Sequence, residues 1–159
     1  MEWIDVVDNP LLKDLPFKIE LNKFGKLLMS PASNQHGQIQ IEIGHNLMNQ
    51  LPKGKVIAEC SIQTLDGVKV ADVAWASEEF INNFAYETPY PKAPEICIEI
   101  VSPSNSKVEI TEKVNLYLAK GATEVWVIYD DHRILTYSHI GEIEKSSIAP
   151  DAQVLKQEI

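Results

Sequence analysis

Positive charge is in short supply in this chain: 14 lysine and arginine residues stand against 23 aspartate and glutamate residues, a formal net charge of −9. That balance favours solubility and argues against nucleic-acid binding driven by the whole-molecule field. Any contact with a polyanion must be local, or assisted by a bound divalent metal. The lysines are scattered, so no groove for DNA can be drawn from them. Glycine is also scarce, with 7 residues, and none builds a phosphate-cradling turn ahead of a helix, which disfavours a nucleotide-binding enzyme. Ser102 has no Gly-x-Ser-x-Gly elbow around it, which disfavours a serine hydrolase. The two cysteines, Cys60 and Cys97, lie in apolar runs without metal-ligand spacing and read as buried free thiols in a reducing compartment, hence the cytoplasm. No apolar run reaches membrane-spanning length, and the acidic start Met1-Glu-Trp-Ile-Asp5 lacks the regions of a signal peptide.

What is present fits one domain: 159 residues with 45% hydrophobic content can enclose a real core. Residues 1–16, with Asp8-Asn-Pro10 and Asp14-Leu-Pro16, read as a short helical or irregular lead-in. Phe17, Ile19 and Leu21 alternate with polar residues ahead of a turn at Asn22 to Gly25 and a second strand, Lys26 to Met29, which predicts a structural hairpin. Ser30-Pro-Ala-Ser-Asn34 supplies N-cap candidates for a helix from about Gln35 to Leu51. On that helix His36, Ile39, Gln40, Ile43, Leu47 and Leu51 share one face, so His36 and Gln40 look inward while His45 looks outward. Strands follow at Lys55 to Ile62 and Val68 to Trp75, then a helical turn and loop over 77–93. A buried strand ends near Val101, a helix runs from about Lys107 to Lys120 before Gly121, and further strands cover Glu124 to Asp130 and Ile134 to Ser138. One or two short edge strands or a tail complete residues 139–159. The order suggests an α/β (α+β) fold, one mixed sheet flanked by helices, with a strand–helix–strand crossover from Glu95 to Asp130.

Two acids interrupt this pattern. Glu99 sits within Ile96 to Val101, a run that reads as buried on both faces, and Asp72 sits in the middle of Val68 to Trp75. A carboxylate in such a setting needs a partner. Two of them on neighbouring strands raise each other's pKa unless a cation neutralises them. Mg²⁺ (or Mn²⁺) suits the task, because it takes oxygen ligands, commonly one or two protein carboxylates, and lets a substrate phosphate complete its shell. Lys113, on the border of the apolar stripe of Ile110, Val114, Tyr117 and Leu118, can aim its ammonium along the sheet and stabilise developing charge. Asp72, Glu99 and Lys113 therefore suit a phosphodiesterase site, and equally a structural ion-pair network. Spacing does not decide between them. Tyr117, Trp75 and Trp126 read as packing residues.

The segments Asp14 to Glu20, Met29 to His36, Glu59 to Thr64, Ala71 to Trp75, Pro94 to Asn105, Lys113 with Tyr117, and Gly121 to Trp126 resemble the small restriction-endonuclease-like family of the PD-(D/E)XK nuclease superfamily, over roughly residues 14–138. The resemblance implies a restriction-endonuclease-like mixed sheet and a metal-dependent endonuclease acting on nucleic acid, DNA above RNA. Asp72 and Glu99 take the places of the motif's two acids and metal ligands. Ala71 stands where the motif has proline, which has no chemical role. Val101 stands two residues after Glu99, where the motif lysine belongs, and Lys113 on the following helix is the best-placed replacement. His36 lies where the superfamily often has an accessory active-site residue, and Glu59 is a weaker metal candidate. A homodimer is expected, since a small nuclease must cut both strands. The other class left open by Val101 and the acidic charge is a nuclease-fold binding or assembly module without catalysis.

Overall fold

The computed structural model describes residues 1–155. The lead-in holds a short helix, α1 (Trp3–Val7), and is followed by the hairpin β1 (Phe17–Leu21) and β2 (Leu27–Pro31), which forms a two-stranded sheet of its own. Then come α2 (Asn34–Gln50), β3 (Lys55–Thr64), β4 (Gly67–Ala76), α3 (Glu78–Phe84), β5 (Ile96–Ile100), α4 (Lys107–Ala119), β6 (Glu124–Ile128), β7 (Ile134–Ser138) and β8 (Gly141–Ile143). The six strands from β3 to β8 form one sheet in sequence order. Only β5 and β6 run parallel, as the intervening helix requires, and every other neighbour pair is antiparallel.

Local chemistry sets the helix ends. Ser33 accepts the His36 amide at the start of α2, and Ser106 with Glu109 forms a reciprocal capping box on α4. Gly121 ends α4 with a φ of +99°, a conformation that costs glycine little. The sheet is covered on both faces. On one, Ile39, Ile43 and Leu47 of α2 pack on Val73, Ile96, Ile98 and Trp126. On the other, Ile110, Val114 and Tyr117 of α4 pack on Ala71, Cys97, Val125 and Val127. This double cover explains why β5 and β6 are apolar without alternation. Cys60 and Cys97 are buried free thiols, and burial pushes Cys60 up to about 12.

The segment after β7 is held by a carboxylate. Glu124 accepts from Trp126 Nε1 at 2.8 Å, Ser146 Oγ at 2.6 Å, and the Ser147 amide and hydroxyl at 2.8 and 2.7 Å. One short edge strand, β8, occupies the expected place, while the last positions of that stretch, 156–159, lie outside the described residues. The hairpin forms as expected, and its two faces meet different surroundings. Its apolar face, Ile19 and Leu21, closes a small cluster with Val6 and Val68. Its polar face, Lys18 and Glu20, is turned inward: Glu20 is buried and Lys18 is nearly so.

Candidate functional site

The site begins where the central ladder stops. Strands β4 and β5 pair at Val73 with Ile98, Ala74 with Cys97 and Trp75 with Ile96. The next pair in that register is Asp72 with Glu99, and there the strands part. Instead of continuing the ladder, the Ile100 amide donates to Asp72 Oδ2 at 2.7 Å. On the other side of β4 the ladder with β3 misses the same position, between the pairs Ala58 with Val73 and Cys60 with Ala71. The cause is Glu59, whose φ is +52°; a left-handed backbone at such a residue costs on the order of 1–3 kcal/mol and tends to gather at functional sites. Gln40 of α2 repairs the gap, donating to the Asp72 carbonyl at 2.7 Å and to Glu59 Oε1 at 2.8 Å. Asp72 is thus released from the sheet on both sides, with its carboxylate beside that of Glu99.

Three elements deliver basic side chains to the two acids. From the hairpin, Lys18 Nζ lies 3.1 Å from Asp72 Oδ1 and 3.1 Å from Glu99 Oε2. From α4, Lys113 Nζ lies 2.9 Å from Glu20 Oε1 and 3.4 Å from both oxygens of Glu99. From α2, His36 Nε2 lies 3.3 Å from Asp72 Oδ1, and its buried Nδ1 has no partner. Two neutral groups complete the set: the Tyr117 hydroxyl donates to Glu99 Oε1 at 2.7 Å, and the Val70 amide, on the part of β4 that β5 does not cover, donates to Glu20 Oε2 at 2.7 Å.

The electrostatics follow from this arrangement. Burial alone would raise the Asp72 carboxyl, but Lys18, the His36 hydrogen bond and the Ile100 amide outweigh it and hold it below the usual range. Glu99 goes the other way: burial raises it, Lys113 and Lys18 only partly compensate, and the neighbouring charges of Asp72 and Glu20 add to the rise. Burial would lower the Lys18 ammonium, yet Glu99, Asp72 and Glu20 keep it well above its ordinary value. The hydrogen bond to Asp72 lifts His36 despite its partial burial. These groups line a cleft of about 40 Å³, which Lys18, His36, Asp72, Glu99, Asn105 and Lys113 surround. That is room for a water or an ion rather than for a drug-sized ligand.

Asp72, Glu99, Lys113 and His36, all singled out by sequence, therefore meet in one place, and Glu59 stands exposed at its rim. Sequence reasoning missed Lys18 and Glu20. The available signal was the alternation of β1, which puts both on one face; that face turns toward the cleft instead of solvent. Tyr117 is core, fully buried as expected, but also bonds Glu99. Val101, at the place of the motif lysine, packs with the apolar cluster under α4. Among the described residues no group of three or more His, Cys, Asp or Glu side chains forms a metal cage. The donor set fits Mg²⁺ nonetheless, since two carboxylates with water and phosphate oxygens are its usual company.

A mixed sheet covered by helices on both faces, with two acids side by side where its ladder opens, defines the restriction-endonuclease-like nuclease fold. The chain belongs to the Uma2 family, whose model, described as "Putative restriction endonuclease", matches residues 11–158. Among solved structures it is similar to a protein of Anabaena variabilis described as a putative nuclease belonging to DUF820. The two share 19% identity over 86% of each chain, with a TM-score of 0.69, a likeness of fold. No curated protein matches the sequence. No helix among the described residues is long and apolar enough to cross a membrane.

Proposed function

We propose that this protein is a metal-dependent endonuclease that hydrolyses phosphodiester bonds of nucleic acid, with DNA as its substrate. One observation carries the reading: Asp72 and Glu99 adjoin at the break in the ladder, with the Lys113 ammonium 3.4 Å from Glu99, in a cleft that opens to solvent. Asp72 and Glu99 would hold Mg²⁺ or Mn²⁺, which when bound polarises a phosphodiester and lowers the pKa of water. Lys113, fixed by Glu20, orients the attacking water and stabilises negative charge on the phosphate, the work left undone by Val101. Tyr117 and the Ile100 amide hold one oxygen of each acid in place and leave the others facing the cleft. His36 keeps its Nε2 against Asp72 and lines the wall.

The test is cleavage of plasmid, linear duplex and single-stranded nucleic acid with Mg²⁺ or Mn²⁺. Wild type should cut, and Glu99→Ala and Lys113→Ala should each lose at least about a hundredfold in rate. Cleavage that survives Glu99→Ala would sink the assignment. The second reading, a nuclease-fold binding or assembly module, is favoured by Val101 and by the net charge of −9; absence of both cleavage and metal binding would select it. A two-fold dimer would present two clefts to a duplex, and a monomer mass by light scattering at high concentration would refute that part. The cytoplasm is the proposed location, supported by the free thiols Cys60 and Cys97.

A further inference from the structure

Of the four carboxylate oxygens of Asp72 and Glu99, two accept from neutral donors: Asp72 Oδ2 from the Ile100 amide and Glu99 Oε1 from the Tyr117 hydroxyl, each at 2.7 Å. The other two, Asp72 Oδ1 and Glu99 Oε2, are those the Lys18 ammonium bridges at 3.1 Å. They are also the pair a divalent ion would need. We propose that Lys18 is a resident counter-cation that occupies the metal position in the metal-free protein, and that a divalent ion binds by taking over Asp72 Oδ1 and Glu99 Oε2 and releasing the ammonium into the cleft. This rests on the nuclease reading above and adds to it a gate on metal entry.

The need for such a group follows from burial. Asp72 and Glu99 are almost wholly removed from water, and two adjoining carboxylates left without a cation are strongly destabilising. Lys18 supplies that cation from an element outside the main sheet, on a long side chain that is 12% exposed and lines the cleft. Its withdrawal needs side-chain rotation and no rearrangement of the sheet. Lys113 is not the exchangeable cation, because its shortest contact, 2.9 Å, is to Glu20 rather than to the acid pair.

The experiment measures Mn²⁺ binding by calorimetry to wild type, Lys18→Met and Glu99→Gln, with acetylation of Lys18 followed by mass spectrometry against the exposed Lys53. Removing a competitor that occupies the site raises apparent affinity, so Lys18→Met should bind Mn²⁺ at least about tenfold more tightly than wild type. Glu99→Gln should bind more weakly, and saturating Mn²⁺ should speed Lys18 acetylation in wild type several-fold while leaving Lys53 unchanged. Equal or weaker binding by Lys18→Met, or Lys18 acetylation indifferent to bound Mn²⁺, overturns the exchange and leaves the metal-dependent nuclease standing. No Mn²⁺ binding by wild type or variant removes the nuclease reading and the exchange together. Should Lys18→Met fail to fold, the acetylation of wild type decides alone.

Discussion

Replacing Lys113 by methionine should destabilise the metal-free protein by about 3 kcal/mol, and the structure says why. The ammonium stands between Glu20 and Glu99, which are 5% and 3% exposed, at 2.9 and 3.4 Å. Methionine fills much of the same volume, so little is lost in packing. What remains is a buried Glu20 carboxylate with no cation at that oxygen, and a Glu99 left to Lys18 alone. Breaking a buried pair on one side costs about 3–5 kcal/mol. The Lys113 side chain is 17% exposed, so water can reach the vacated place and the lower end of that range applies. For a domain of this size the loss lowers Tm by about 6–12 °C. The assay is thermal and urea unfolding at neutral pH without divalent ions, on Lys113→Met and on Lys113→Met combined with Glu20→Gln. Glutamine keeps an oxygen for the Val70 amide but removes the charge, so the double variant should recover at least half of the loss. A single-variant cost below about 1 kcal/mol, or a double variant no more stable than the single, would refute the account of Lys113 as a buried bridge.

Other consequences can be measured as directly. Tyr117→Phe removes a hydrogen bond to a buried carboxylate and should cost about 1.5–3 kcal/mol in unfolding experiments; a neutral substitution would mean that Glu99 finds another donor. Asp72→Asn should bring the His36 titration, followed by proton NMR of the ring, down toward 6.5, since the hydrogen bond to Asp72 is the main cause of its rise; an unmoved midpoint contradicts the contact. Glu124 is held below its ordinary value of 4.5 against the pull of burial, by hydrogen bonds from Ser146, Trp126 and Ser147. Its contribution to stability is therefore complete above that pH and lost as pH falls through the lower folded value. Glu124→Gln should flatten the acid side of a Tm-against-pH curve, and an unchanged slope would count against the network. Gly67 has a φ of +72°, and a Cβ there would collide with the backbone of Leu21 and Asn22. Gly67→Ala should cost at least about 1–3 kcal/mol and loosen the hairpin, which amide exchange at Lys18 to Leu21 would report.

Much of the fold was legible because burial writes itself into apolar runs. The strands Ile96 to Ile100 and Glu124 to Ile128 are apolar on both faces, and the helix between them carries its own cap and stop residues, so the crossover could be read locally. Asp72 and Glu99 announced themselves by contradiction, as charges in strands with no room for them. Lys113 and His36 were reachable through helical periodicity. Lys18 and Glu20 were not, because an alternating strand looks the same whether its polar face meets water or a charged cleft, and only the docking of β1 on β4 distinguishes the two. Glu59 was similarly opaque: nothing in a glutamate within a strand-like run foretells a left-handed backbone. Yet that one residue frees Asp72 from its neighbour and brings Gln40 into contact.

The hairpin that supplies Lys18 is synthesised well before its partners. Asp72 follows Lys18 by 54 positions and Glu99 by 81. While a chain grows, N-terminal parts can fold before the rest exists, and this hairpin can form on its own turn with its lysine and glutamate still in water. The charged cluster cannot. It closes only after β5 has emerged, and the Glu20–Lys113 contact only after α4 has followed, so the entropy of closing these long loops is overcome late. Whatever chemistry the two acids carry is thereby confined to chains extended beyond α4, and a nascent or truncated chain that stops short of it has no assembled centre with which to act.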